Sequence, residues 1–183
     1  MGRLEGREER LAWAAVGGLT VLALILRLHH FLEPVAGDEV STAYIVRGNS
    51  FTGALSDLSS DKEISPPLFF MLAWASAKLG SAPELIRLPS LIAGVASIPL
   101  VFLVGRKAVG TVCGLLAATV MTLTPFMIFY SADGRTYAVA IALLLGSTLA
   151  MLHAIESGRA RTWVIYGVLT ALAMYAHYTS GFI

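Results

Sequence analysis

Only 14% of the 183 residues are charged, 56% are hydrophobic, and the formal net charge is +1. A soluble domain this apolar could not cover its surface with polar groups, so composition excludes an ordinary soluble fold and points to several membrane crossings. No basic tract offers a footing for nucleic acid, and the single Cys113, set in an apolar run, forms no internal disulfide and reads as a small packing residue.

The stub 1–10, "MGRLEGREER", is charged and reads as cytosolic. The run 11–32 that follows is about 22 residues long, exceeds a signal-peptide core and lacks a clean small-x-small cleavage site, so it reads as a retained anchor and first span. Arg27 is expected to snorkel outward from it, with His29 and His30 in the interface. Residues 33–87 are the only sizeable non-spanning region. Within it "DEVSTAYIVRG" sets Val40, Ala43, Tyr44 and Val46 at near-helical spacing, which predicts a short amphipathic helix on the membrane surface with Asp38 able to cap its start. The polar stretch "SDLSSDKEIS" follows with Asp61, Lys62 and Glu63. Next comes "PPLFFMLAWASAKLG", 66–80, whose helix covers roughly 21 Å against about 30 Å of hydrocarbon. It is expected to lie in the interface, with Ser65 at its cap and the tandem prolines in its first turn.

Segments 88–105, 109–130, 137–155 and 163–183 are each long enough to cross, which makes about five spans. With 66–80 in the interface, Arg3, Arg7, Arg10, Arg106, Lys107, Arg159 and Arg161 all fall inside. If it spanned, the later basic clusters would move out and Lys78, Arg87 and Arg135 would move in, which the positive-inside rule favours less. Five spans bring the Asp38 loop, "SDLSSDKEIS", the turn "SADGRTY" and the end "AHYTSGF" to one outer face. The expected architecture is therefore an all-α, polytopic membrane helix bundle with surface helices in its first outer loop. Small residues in "GVASIPL", "GLLAAT" and "GSTLA" suit close helix packing.

Each polar element has two readings. Asp38 is suited to take a proton from an acceptor hydroxyl, though spacing alone favours a helix cap. Glu39 would point elsewhere on that helix and is a supporting neighbour. Asp61 and Glu63 can orient a substrate or bind a divalent cation through oxygen, or form a solvated loop. Lys62 can neutralise a phosphate or balance the acids beside it. Pro125 interrupts the third span, and Arg135 and Tyr137 open the next. There a guanidinium can grip a phosphate bidentately or simply anchor the interface, with Asp133 as its neutralising partner. His177, among Tyr175, Tyr178, Thr179 and Ser180, faces a cavity or bonds between helices.

In order and spacing, "DE", the Pro-Pro-Leu segment, "RLPSLIAGVASIPLVFLVGRKAVG", "GLLAATVMTLTPFMIFYSADGRTYA" and "YAHYTSGF" resemble the amino-terminal module of GT-C glycosyltransferases. The similar branch holds protein O-mannosyltransferases and bacterial lipid A aminoarabinose transferases, and the likeness runs from about Leu11 to the end. It implies one module over 11–183 that transfers a sugar from a polyprenyl-phosphate carrier to an unidentified acceptor outside the membrane. Inversion by direct displacement is implied, in a bacterial plasma membrane. By that resemblance Asp38 is the catalytic base, the second loop acid falls near Glu63, and Arg135 and Lys62 stabilise the leaving phosphate. Ser65 stands where many members carry histidine, so a role needing that imidazole is absent or relocated. The family is also much longer, which implies a truncated module with little activity alone. Two other classes stay open, a transporter or flippase-like protein and a catalytically silent membrane partner.

Overall fold

The computed structural model describes residues 2–59 and 65–182, and every element in them is helical. The α-helices are α1 (Gly2–Phe31), α2 (Glu39–Arg47), α3 (Phe51–Ser59), α4 (Pro67–Ala77), α5 (Leu88–Ala108), α6 (Thr111–Leu123), α7 (Pro125–Ala132), α8 (Tyr137–Ser157) and α9 (Ala160–Ala176), with 3-10 turns at Pro83–Arg87 and Tyr178–Phe182. Among the described residues Gly6–Phe31, Pro83–Ala108 and Tyr137–Ser157 are long and apolar enough to cross a membrane, and α6 with α7 makes a fourth crossing if that bent pair counts as one. The fifth segment, α9, has 17 residues before the chain turns extended at His177. At 1.5 Å per residue it reaches roughly 26 Å.

Ends and bends follow from local chemistry. Pro125 lacks the N–H that would continue α6, and the axis turns by 63° there. Gly158 closes α8 with φ 63°, its N–H donating to the Ala154 carbonyl, the left-handed cap that glycine takes without strain. Helix α4 begins with Pro66 extended at its cap and Pro67 in its first turn, so the cap position belongs to Pro66 and not to Ser65. Its 11 residues cover roughly 16 Å, about half a crossing.

Two apolar clusters hold the molecule. One joins the short helices to the long ones: Val46 of α2, Phe69 and Phe70 of α4 and Ile86 pack with Val139 of α8 and Ala176 of α9. The other joins Ala12, Val16 and Ala23 of α1 to Ile98 and Phe102 of α5 and Ala118 of α6. Small residues set the spacing, as their sequence pattern predicts. A Cβ on Gly94 would fall 2.2 Å from Ser131 Cβ, and one on Gly114 would fall 2.6 Å from the Phe102 carbonyl oxygen. Between α8 and α9, Ser147 and Thr170 hydroxyls bond at 2.7 Å.

The four apolar residues whose spacing marked the surface helix α2 divide, Val46 and Ala43 packing on the core and Val40 and Tyr44 facing outward. Glu39, Thr42, Ile45 and Val46 are buried, while Val40 and Tyr44 are exposed. An outward apolar face suits a helix bordered by lipid. The bundle's two ends also differ. One carries Arg106 paired to Glu9 at 2.9 Å and Lys107 paired to Glu156; the other carries the C-terminus of α1, α2 and the α7–α8 turn.

Candidate active site

A helix leaves its last carbonyls without intrahelical donors. At the end of α1 they meet Arg87, the final residue of the 83–87 turn and the first of the "RLPSL" motif, to which the sequence alone assigned no site role. Its Nη1 donates to the carbonyls of His30, Phe31 and Glu33 at 3.0, 2.9 and 2.6 Å, and Nη2 donates to Pro34 at 3.2 Å. The opposite edge grips Glu39, Nε to Oε1 at 2.7 Å and Nη2 to Oε2 at 2.5 Å. The two side chains are 5% and 6% exposed. A planar fork can serve a carboxylate and a helix end together, which an ammonium cannot. The available sequence signal was an arginine directly ahead of an apolar run, with an acid on the facing loop.

Glu39 ties this hub to the far end of the chain. Its Oε1 accepts the backbone N–H of Gly134, and its carboxylate shares a hydrogen bond with the Asp133 side chain. Gly134 is needed for the approach: a Cβ there would lie 3.1 Å from Ile86 Cδ1 and 3.3 Å from Glu39 Oε1. Burial pushes the Glu39 carboxyl up, but Arg87, the Gly134 amide and the Asp133 hydrogen bond outweigh it and hold it below its ordinary value. Asp133 goes the other way. Burial first, then its hydrogen bond to Glu39 and the Glu39 charge, push it up to about 7 from 3.8, against the pull of Arg135 and Arg87. Two neighbouring carboxyls thus share one proton, held on Asp133 below neutral pH. Asp133 therefore pairs with Glu39, and the charge of Arg135 is only a secondary influence on it.

A stability consequence follows. Because the folded Asp133 binds its proton more tightly than the unfolded one, the folded state holds more protons between pH about 4 and 7. Stability from this group is complete below the unfolded value and is lost as pH rises towards about 7. Thermal unfolding in detergent is expected to show that decline, and Asp133→Asn is expected to flatten it. An unchanged pH slope in the variant would contradict the shared proton.

These groups form the wall of a cleft of about 260 Å³, lined by His30, Glu33, Pro34, Ala36, Gly37, Glu39, Arg87, Phe129, Ala132 and Asp133. Asp38 sits between two lining residues. It is exposed, and although it occupies the cap position of α2, its side chain makes no capping hydrogen bond. Arg135 is half-buried, its carbonyl accepting from Ser90 Oγ at 2.9 Å. Tyr137 and His177 meet each other, ring centroids 5.5 Å apart. Rings then lead towards the cleft, Tyr137 to Tyr130 at 4.6 Å, Tyr130 to Phe129 at 5.2 Å and Phe129 to His30 at 6.1 Å. His177 Nδ1 lies 2.7 Å from Thr179 Oγ1. The expected residues Asp61, Lys62 and Glu63 lie outside the described residues. Among the described residues no group of three His, Cys, Asp or Glu side chains is placed to hold a metal ion.

Arg27 does not snorkel. It is fully buried, and its guanidinium turns back along α1 to the Ala23 carbonyl at 3.1 Å and across to Met121 of α6 at 3.3 Å.

Residues 65–183 match the sequence profile of the dolichyl-phosphate-mannose-protein mannosyltransferase family. No curated protein and no solved structure matches the chain.

Proposed function

Because this chain belongs to the dolichyl-phosphate-mannose-protein mannosyltransferase family, we propose that it transfers a sugar from a polyprenyl-phosphate lipid to an acceptor hydroxyl at the outer membrane face. The family makes it a membrane glycosyltransferase of the mannosyltransferase type; the donor, the direction and the residue roles are our reading. The acceptor oxygen attacks the anomeric carbon and its proton passes to the Asp38 carboxylate. The bond from that carbon to the phosphate oxygen breaks on the opposite side, and the lipid phosphate leaves with the electron pair. Displacement in one step inverts the anomeric centre and forms no sugar–enzyme bond.

The observation that carries the reading is the division of labour between adjacent acids. Glu39 is buried and committed to Arg87 and Gly134, which holds the start of α2 against the bundle. Asp38, one residue earlier, is exposed beside the cleft without a capping duty, as an acid that exchanges protons with substrate needs to be. Arg135 and Lys62 are the proposed partners of the leaving phosphate, acting where negative charge develops. Tyr137 and His177 are the proposed substrate contacts from the neighbouring ring pair.

Proteoliposomes holding the full-length protein and a polyprenyl-phosphate sugar labelled in the sugar test this. We expect label to move from the lipid fraction to a hydroxyl-bearing acceptor. Label that crosses the bilayer while still on its lipid would indicate transport instead, and label that stays in place would indicate a silent partner.

A further inference from the structure

One buried cation takes no part in the cleft. Arg27 lies inside the first span and is fully buried, in a setting where a charge is costly and seldom kept without a task. Its Nη1 and Nη2 reach two carbonyls, and Nε has no partner. Packing alone does not account for it, since an apolar side chain of similar length would fill the space without desolvating a charge.

The second carbonyl explains the residue. In a helix the carbonyl of position 121 accepts the N–H of position 125. Position 125 is proline, so Met121 has no such donor, and a bare carbonyl inside a bilayer is expensive. Arg27 Nη2 supplies the missing hydrogen bond from a neighbouring helix. The same break turns α7 by 63° away from the α6 axis. A straight continuation over the eight residues of α7 would carry Ala132 about 12 Å from its place. Asp133 and Gly134 follow Ala132 directly, and their contacts with Glu39 depend on that turn.

We propose that Arg27 is a positioning residue: it caps the carbonyl orphaned by Pro125 and so holds the bend that delivers Asp133 and Gly134 to Glu39. The part of this that concerns turnover rests on the proposed sugar transfer; the clamp itself does not.

A double-mutant cycle in the purified protein tests the clamp without any activity. With Pro125 present, Arg27→Met is expected to lower the melting temperature by about 5 °C. With Pro125→Ala, the new backbone N–H satisfies Met121, and Arg27→Met is expected to change melting by under about 1 °C. Equal losses in both backgrounds would overturn the clamp. If Arg27→Met alone does not fold, recovery of folded protein by adding Pro125→Ala supports it, and failure to recover overturns it. In the transfer assay Arg27→Met is expected to lower kcat by about 10²-fold with little change in the donor KM, as misplacement of a reacting centre does. Arg27→Lys, which keeps a donor near Met121, is expected to restore most of the loss. Wild-type kcat in Arg27→Met would overturn the positioning role. If the wild-type protein itself transfers no sugar, the functional reading fails while the melting cycle still decides the clamp.

Discussion

Arg87→Met is expected to be the most damaging single substitution for stability, by about 3–5 kcal/mol. Its two effects add. Glu39 is left as a buried carboxylate beside Asp133 with no cation against it, and the carbonyls of Phe31, Glu33 and Pro34 lose the Arg87 donor, His30 keeping the Glu33 N–H. For a chain of this size the loss corresponds to a fall in melting temperature of about 10 °C. Arg87→Lys is expected to recover less than half, since a point charge cannot serve the carboxylate and the helix end at once. Removing Glu39 as well, in the Glu39→Met and Arg87→Met pair, should return part of the loss because no charge then stays buried. Melting of the four proteins in one detergent checks the series. A single Arg87→Met variant as stable as wild type would mean that the hub does not hold the end of α1.

Much of this arrangement was readable before any coordinates. Hydropathy gave the long helices, the length of 66–80 foretold a helix too short to cross, and Pro125 marked the bend. These are local properties, fixed by propensity and by the thickness of a bilayer. The contacts that make the site are not local. Glu39 meets Arg87 and Gly134 across 48 and 95 positions, and no spacing rule reaches that far. The apolar spacing of α2 foretold a surface helix but not which of its residues the bundle takes. Val46 and Ala43 pack on the bundle with Glu39 and Thr42, while Val40 and Tyr44 stay outside, where lipid rather than water can border them. That Glu39 points away from Asp38 was expected from helix geometry; that it reaches Arg87 and Gly134 was not. Arg27 was misread: snorkelling assumes that water is the best partner in reach, and the proline break offered a nearer carbonyl.

The exposed acid Asp38 is the proposed base. Asp38→Asn keeps the size and hydrogen-bonding capacity of the side chain but removes its ability to take a proton. Because Asp38 is exposed and makes no capping bond, the substitution is expected to leave stability within about 0.5 kcal/mol. Loss of a general base removes about 10²–10⁴-fold in rate. The two effects therefore separate cleanly, unlike those at Arg87, where folding and chemistry would fall together.

That separation defines the decisive measurement: the rate of sugar transfer from a labelled polyprenyl-phosphate donor, wild type against Asp38→Asn in the full-length protein, in proteoliposomes matched for folded protein by their melting curves. The account predicts the same melting temperature and a rate at least about 10²-fold lower in the variant. Equal rates at equal stability would contradict it, and the base would have to be sought elsewhere in the cleft.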